Sequence, residues 1–358
     1  MKKNITATFS EYDQLNQTTD YVLYLPLNSS HFKMAKIMAE NSKLESFIYY
    51  DGYQSMPSEE SREYRLISNA VTVSAMLPAF TKIVCFIPHI SINAPEIYKK
   101  IIATAMQSNI SIYEVPHGLF QTGYNLIDDS TSLDITSYYD GIGINLPAVT
   151  KKRISWHGDN GIGYPSTMKR DTIQKRILPS FTLISSNTNW YLYSLEDKRN
   201  FYTSVFSFAE KNPDDMFIWS PHPAELNAGT YTFALREHLP ANIHLYGIKE
   251  DIYFHGIDCT DDLIPYCEYG ISTLSTCLLD YEIYNKPVNI FSCDGTRNII
   301  NSLHEFHEFD SDEQLTSNPK NLKTGFLKDY NPEKFDNFLN QHDSLKTVIN
   351  PGYSHLLL

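Results

Sequence analysis

The stretch YVLYLPLNSSHFKMAKIMAE, residues 21–40, decides the fold class. Its apolar run YVLYL ends at Pro26. After a short loop, apolar residues return at Phe32, Ala35, Ile37, Met38 and Ala39. A continuous apolar run followed by helical spacing reads as a buried strand, a loop and an amphipathic helix. The same alternation spreads outward. FIYY (47–50), IVCFI (83–87) and ISIY (110–113) read as further strands, with helical patterns at residues 62–76 and 95–106 between them. FTLIS (181–185) restarts the pattern. It continues through a helix at 196–210, strands MFIW (216–219) and IHLY (243–246), and a helix at 261–267. A short run at 269–271, a helix at 277–284 and strand VNIF (288–291) complete it. Strands alternating with helices imply crossover connections and parallel sheets, with ligands at the carboxyl ends of the strands.

The chain has 358 residues, enough for two such α/β halves. Expected boundaries are a first Rossmann-like domain at 1–176, a second at 177–330, and a closing helix (333–345) and tail together spanning 331–358. The connecting stretch 151–176 holds Lys151, Lys152, Arg153, Lys169, Arg170, Lys175 and Arg176 against Asp159 and Asp171. It reads either as a solvated linker or as a cleft-edge loop facing a lipid-linked acceptor or membrane surface. Residues after 300, including HEFHEFDSDEQ, read as polar and acidic.

A formal charge of −13 argues against a nucleic-acid partner. Five cysteines without C-x-x-C spacing indicate neither a disulfide framework nor a zinc site. With no long apolar span and a polar start, a cytoplasmic protein is expected, with peripheral contact at the inner face of the plasma membrane as an option. The pairs Asp128-Asp129, Asp214-Asp215 and Asp261-Asp262 read as solvated charge, so neither a metal nor a cofactor is expected.

Three constellations carry candidate chemistry. EVPHGLFQTGYN (114–125) follows the fourth strand and puts His117 where the chain leaves the sheet. There an imidazole can take a proton from a hydroxyl nucleophile, or be an ordinary hydrogen-bonded loop residue. Gly118 permits close approach, and Gly118, Gln121 and Asn125 are the candidate acceptor contacts. WSPHPAEL (219–226) holds His222 between Pro221 and Pro223, rigid at a strand end and able to donate to a phosphate oxygen. Glu225 either caps this segment or meets a ribose hydroxyl. Ser272, Thr273, Ser275 and Thr276 precede the helix at 277, where free amides and the helix dipole can bind an anion. One N-cap needs one hydroxyl, and this cluster has four. Ser185, Ser186 and Asn187 form a fourth, smaller candidate for phosphate or base. G-x-S-x-G, G-x-x-x-x-G-K-[ST] and H-E-x-x-H are absent from the sequence.

Together, PHPAE (221–225), STLST (272–276) and the strand patterns at 21–40 and 77–91 resemble the bacterial GT-B sialyltransferases and polysialyltransferases. Where those families carry an acidic-acidic-Gly motif, this chain has Pro116-His117-Gly118. The resemblance therefore implies His117 as general base, with Glu114 the other candidate. The His-Gly, Pro-His-Pro and Ser/Thr elements also resemble the CDP-glycerol-dependent teichoic-acid polymerases. The implied fold is GT-B, two Rossmann-like domains facing a central cleft. The implied activity is metal-independent, inverting transfer of sialic acid or a related acidic sugar from a CMP-activated donor. The acceptor is a glycan or lipid-linked glycan in lipopolysaccharide, O-antigen or capsule synthesis, and His222 and Ser272–Thr276 hold the leaving phosphate. Polyol-phosphate transfer from CDP-glycerol or CDP-ribitol and a GT-B-like, non-hydrolysing epimerase acting on a UDP-sugar without acceptor are the alternative enzymes, and a polysaccharide-assembly protein without catalysis is the alternative outside enzymes.

Overall fold

A computed structural model describes residues 19–50, 64–86, 95–108, 110–115, 156, 161–173, 175–187, 193–222, 225, 239–247, 252–301 and 303–341. The chain divides into two units. The first takes Met1–His117, Gln121–Met168 and Lys328–Leu358; the second takes Gly118–Phe120 and Lys169–Leu327.

In the first unit, strand β1 (Tyr21–Leu25) has every residue buried, as a strand covered on both faces requires. It lies at the centre of a parallel sheet with β2 (Glu45–Tyr49), β3 (Tyr64–Ile67), β4 (Phe80–Cys85) and β5 (Ser111–Glu114), in the order β3-β2-β1-β4-β5. The order reverses between β1 and β4. Helix α1 (Ser29–Asn41) follows β1 and is capped by Asn28, whose side chain accepts from the His31 amide. Helices α2 (Ala70–Met76) and α3 (Glu96–Gln107) complete the crossovers, and Val73, Met76, Ile101, Ile102 and Ala105 pack into the sheet core. Truncating a fully buried leucine such as Leu23 would cost about 2–5 kcal/mol.

The second unit holds β6 (Thr182–Ser186), β7 (Phe217–Pro221), β8 (Ile243–Leu245), β9 (Gly270–Ser272), β10 (Val288–Phe291) and β11 (His307–Phe309). All are parallel, in the order β11-β10-β9-β6-β7-β8, and the order reverses between β6 and β9. Helix α4 (Leu195–Lys211) opens with a capping box between Ser194 and Asp197. It lays Phe201, Tyr202, Val205 and Phe208 on the sheet. Helix α5 (Cys277–Ile283) covers the other side of the reversal, with Tyr281 fully buried. Helix α6 (Pro332–Gln341) belongs to the first unit, to which the chain returns at Lys328.

The α/β class with two parallel sheets is the one expected. Three local expectations are corrected. Residues 64–76, read within one helix, form β3 and then α2, because Asn69 caps a new helix by accepting from the Thr72 amide at 2.7 Å. Of the helix expected at 261–267, Thr260–Leu263 is α-helical as expected, and only Ile264–Tyr266, which carries Pro265, tightens into a 3-10 turn. The polar HEFHEF stretch contains the edge strand β11, which buries Phe309 and leaves Glu308 exposed. The tyrosine-rich composition goes largely into packing: Tyr24, Tyr49, Tyr193, Tyr202 and Tyr281 are all buried. Among the described residues no helix is long and apolar enough to cross a membrane.

Candidate functional site

The reversal between β6 and β9 puts the carboxyl ends of β6, β7 and β9 side by side, the place where an open parallel sheet parts its loops. Ser185 pairs with both Ser220 and Ser272 in register there. Alternation along β6 sends Ser185 and Ser186 to opposite faces. Ser185 Oγ lies 3.1 Å from the Tyr281 hydroxyl on α5, and burial holds that phenol well above its ordinary pKa, so it stays protonated. Tyr281 fits because Gly270 leaves room: a Cβ there would lie 2.4 Å from the tyrosine ring.

Ser186 faces α4 and donates to Glu225 Oε2 at 2.7 Å, while Trp219 Nε1 donates to Ser186 Oγ at 2.9 Å. Glu225 is 3% exposed and sits at the hub. Its Oε1 accepts from Tyr202 at 2.7 Å, and its Oε2 also accepts from the His222 amide at 2.9 Å. The His222 amide lies 3.2 Å from the Ser186 carbonyl, and the Glu225 amide donates to the His222 carbonyl at 2.8 Å. The turn after β7 is thus held from both ends. Its imidazole is exposed. Desolvation by crowding protein atoms lowers its pKa, and the Glu225 charge opposes that shift.

At the end of β9, Thr273 Oγ1 accepts from the Asn187 amide at 2.7 Å and donates to the Asn187 carbonyl at 3.1 Å. Ser272 Oγ reaches the Ser185 and Thr273 carbonyls at 3.1 and 2.8 Å, and the Leu274 amide donates to the buried Tyr193 hydroxyl. The surplus of hydroxyls beyond one N-cap therefore has a physical reason. Ser272 and Thr273 stitch β9 to β6, Ser275 Oγ accepts from the Cys277 amide at 3.3 Å, and Thr276 occupies the cap position without a side-chain cap bond.

The side chains of Ser185, Ser186, Ser272, Thr273 and Glu225, expected as donor contacts, are hydrogen-bonded inside the unit and buried. They frame the site. Asn187 and Thr276 are partly exposed at its rim, and Ser275 is 7% exposed. His222 is the exposed titratable group there. His117, Gly118, Gln121, Asn125 and Pro223 lie outside the described residues. Glu114 closes β5, and its side chain is also outside them.

His31 was not singled out in the sequence, and the Asp261-Asp262 pair was read there as solvated charge. His31 sits at the reversal of the first sheet, 1% exposed, with Nδ1 3.3 Å from the Leu27 amide and its ring stacked on Phe86 at 5.8 Å. The signal was its position in the strand-to-helix loop, Asn28-Ser-Ser-His31. Cys259, Asp261 and Asp262 bring potential ligand atoms within 4.8 Å of one another. There the thiol donates to Asp261 and the Asp258 amide to Asp262. Burial pushes the Cys267 thiol up to about 12 and raises Cys277 as well, so neither is a thiolate at neutral pH.

No protein-family model matches the chain, and no curated protein matches it in sequence. In fold it is similar to the Methanocaldococcus jannaschii UDP-GlcNAc 2-epimerase solved in complex with UDP-GlcNAc and UDP, at 10% identity over 90% of this chain and 99% of that one, with a TM-score of 0.50. The S. aureus MnaA-UDP structure aligns at 10% identity over 83% of this chain and 86% of that one, with a TM-score of 0.45. The wall teichoic acid polymerase TagF aligns at 11% identity over 96% of this chain and 88% of that one, also with a TM-score of 0.45. At such identities the likeness is one of fold.

Proposed function

We propose that the chain is a nucleotide-sugar-dependent glycosyltransferase whose second unit holds the donor nucleotide at the carboxyl ends of β6, β7 and β9. The observation that carries this reading is the exposed His222 imidazole on a turn braced by a buried carboxylate, beside a topological reversal. The fold shared with an epimerase solved with UDP-GlcNAc and UDP supports it. His222 donates a hydrogen bond to the nucleotide phosphate, and the rim at Ser275 and Thr276 contributes backbone amides. His117, three residues beyond the end of β5, takes the proton of the acceptor hydroxyl as that oxygen bonds to the anomeric carbon. The bond from that carbon to the phosphate oxygen breaks, the nucleotide leaves, and configuration inverts. The finer reading is a CMP-activated acidic sugar, a metal-independent reaction and a surface-glycan acceptor.

A thermal-shift panel of CMP, CDP, UMP, UDP and GDP, with and without magnesium, tests this. A ligand at a hundred times its Kd adds about 2.7 kcal/mol of stability. Stabilisation by cytidine nucleotides that is indifferent to magnesium and lost in His222→Ala is expected. Preference for UDP with acceptor-free turnover would replace transfer by epimerisation. A phosphodiester in the product would replace it by polyol-phosphate transfer. No stabilisation by any nucleotide would overturn the reading.

A further inference from the structure

The second unit carries a surface that is both cationic and apolar. Residues 169–177 contain Lys169, Arg170, Lys175 and Arg176 against Asp171 alone, in a chain whose formal charge is −13. Within the same short segment Ile173 is 42% exposed and Ile177 105% exposed, and Tyr253 nearby is 61% exposed. They account for three of the six exposed large hydrophobics among the described residues.

Arg176 makes this one surface. Its guanidinium donates to the His255 carbonyl and, at 3.2 Å, to the Gly256 carbonyl, fixing the segment beside the loop that carries Tyr253. Gly256 adopts φ +71°, and a Cβ there would lie 3.1 Å from Arg176 Nη2, so the guanidinium packs against the glycine backbone. Tyr253 is supported from behind by Tyr246, with ring centroids 6.3 Å apart and planes 21° apart. The result is a basic strip from which two isoleucines and a tyrosine project.

We propose that this surface docks on bilayers containing anionic lipid. Cations near an anionic headgroup layer attract it, and aliphatic side chains with an amphipathic tyrosine enter the interface. Charge selects the orientation: the rest of an acidic molecule is repelled by that layer, so only a locally basic face can approach it. A nucleic acid would match the cations but not the exposed isoleucines. The inference does not depend on the proposed function.

Co-sedimentation of the full chain with vesicles of phosphatidylglycerol and phosphatidylcholine, and with phosphatidylcholine alone, tests it. The chain is expected to pellet with the anionic vesicles, to be released by high salt, and to stay in solution with the neutral ones. Ile177→Asp combined with Lys175→Glu, at two exposed positions, is expected to weaken the partition on the order of tenfold or more, with the melting temperature unchanged. No pelleting, equal pelleting with neutral vesicles, or an unaffected double variant would each overturn the proposal. So would a solution dimer that the double variant dissociates without any lipid binding, because the patch would then be covered by a second copy.

Discussion

Glu225 accepts hydrogen bonds from Ser186, Tyr202 and the backbone of His222, and its charge raises the pKa of the His222 imidazole. Its substitutions separate shape from charge. In Glu225→Gln the amide oxygen can take the Oε2 position, and the amide nitrogen can donate to the Tyr202 hydroxyl, which rotates to accept. The turn should survive while the negative charge is gone. Because that charge raises the His222 pKa against the larger lowering by desolvation, the variant should titrate at a still lower pH. NMR titration of the ring protons checks the sign, and an upward shift would contradict the assignment. Glu225→Ala leaves three donors without their acceptor and should cost about 3 kcal/mol or more in denaturant unfolding, since each buried unsatisfied group costs roughly 1–3 kcal/mol.

Gly163 shows at the scale of elements why the chain needs a residue without a side chain. It has φ +82°, and a Cβ there would lie 2.0 Å from the Asp329 carbonyl oxygen. Around it the Tyr164 amide donates to the Lys328 carbonyl at 2.9 Å, and the Asn331 amide to the Ile162 carbonyl at 2.7 Å. Tyr164 and Asp329 form a parallel bridge, so this glycine lets the returning chain lie against the first unit. Gly163→Ala combines left-handed backbone with a backbone collision and should cost on the order of 3 kcal/mol, read as a lower melting temperature. Little of this was legible in WHGDNGIGYP, because the partner strand begins some 160 residues later. What was legible followed from local period: Tyr21–Leu25 and Val288–Phe291 are strands with the expected bounds, because continuous apolar runs between turn residues have few other outcomes. The β3 strand was hidden because YRLI joined to a helical pattern has no period of its own, and β11 because an edge strand buries little. The same limit governs the site. His222 stood out through its two flanking prolines, which act locally. The hydrogen bonds of Ser272 and Thr273 were not legible, because their partners Ser185 and Asn187 lie 87 and 86 residues away.

At the scale of the whole molecule, the first unit is discontinuous: its sheet lies at the start of the chain, and the segment from Lys328 onward closes it. The closure is physical. Tyr330, Phe335 and Leu339 are 5%, 0% and 1% exposed. The Leu339 carbonyl accepts from the Tyr113 hydroxyl of β5 at 3.0 Å, and Phe338 packs edge-on against the same ring at 6.0 Å. Asp336, 6% exposed, accepts from Ser42 Oγ at 2.6 Å and from the Lys43 amide at 2.8 Å, pinning α6 to the end of α1. Three buried side chains at roughly 1.5–3 kcal/mol each, with two hydrogen bonds to a carboxylate, approach the entire stability of an ordinary domain, about 5–15 kcal/mol. Removing residues 328–358 should therefore unfold or loosen the first unit selectively. The second unit keeps all six of its strands and both helices that flank its reversal within residues 169–327. Hydrogen exchange read by mass spectrometry should show protection lost across β1, β2 and β5 and retained across β6, β7 and β9. If both sheets lost protection together, the two units would be a single cooperative body, and nucleotide binding in the second could not be assayed apart from the folding of the first.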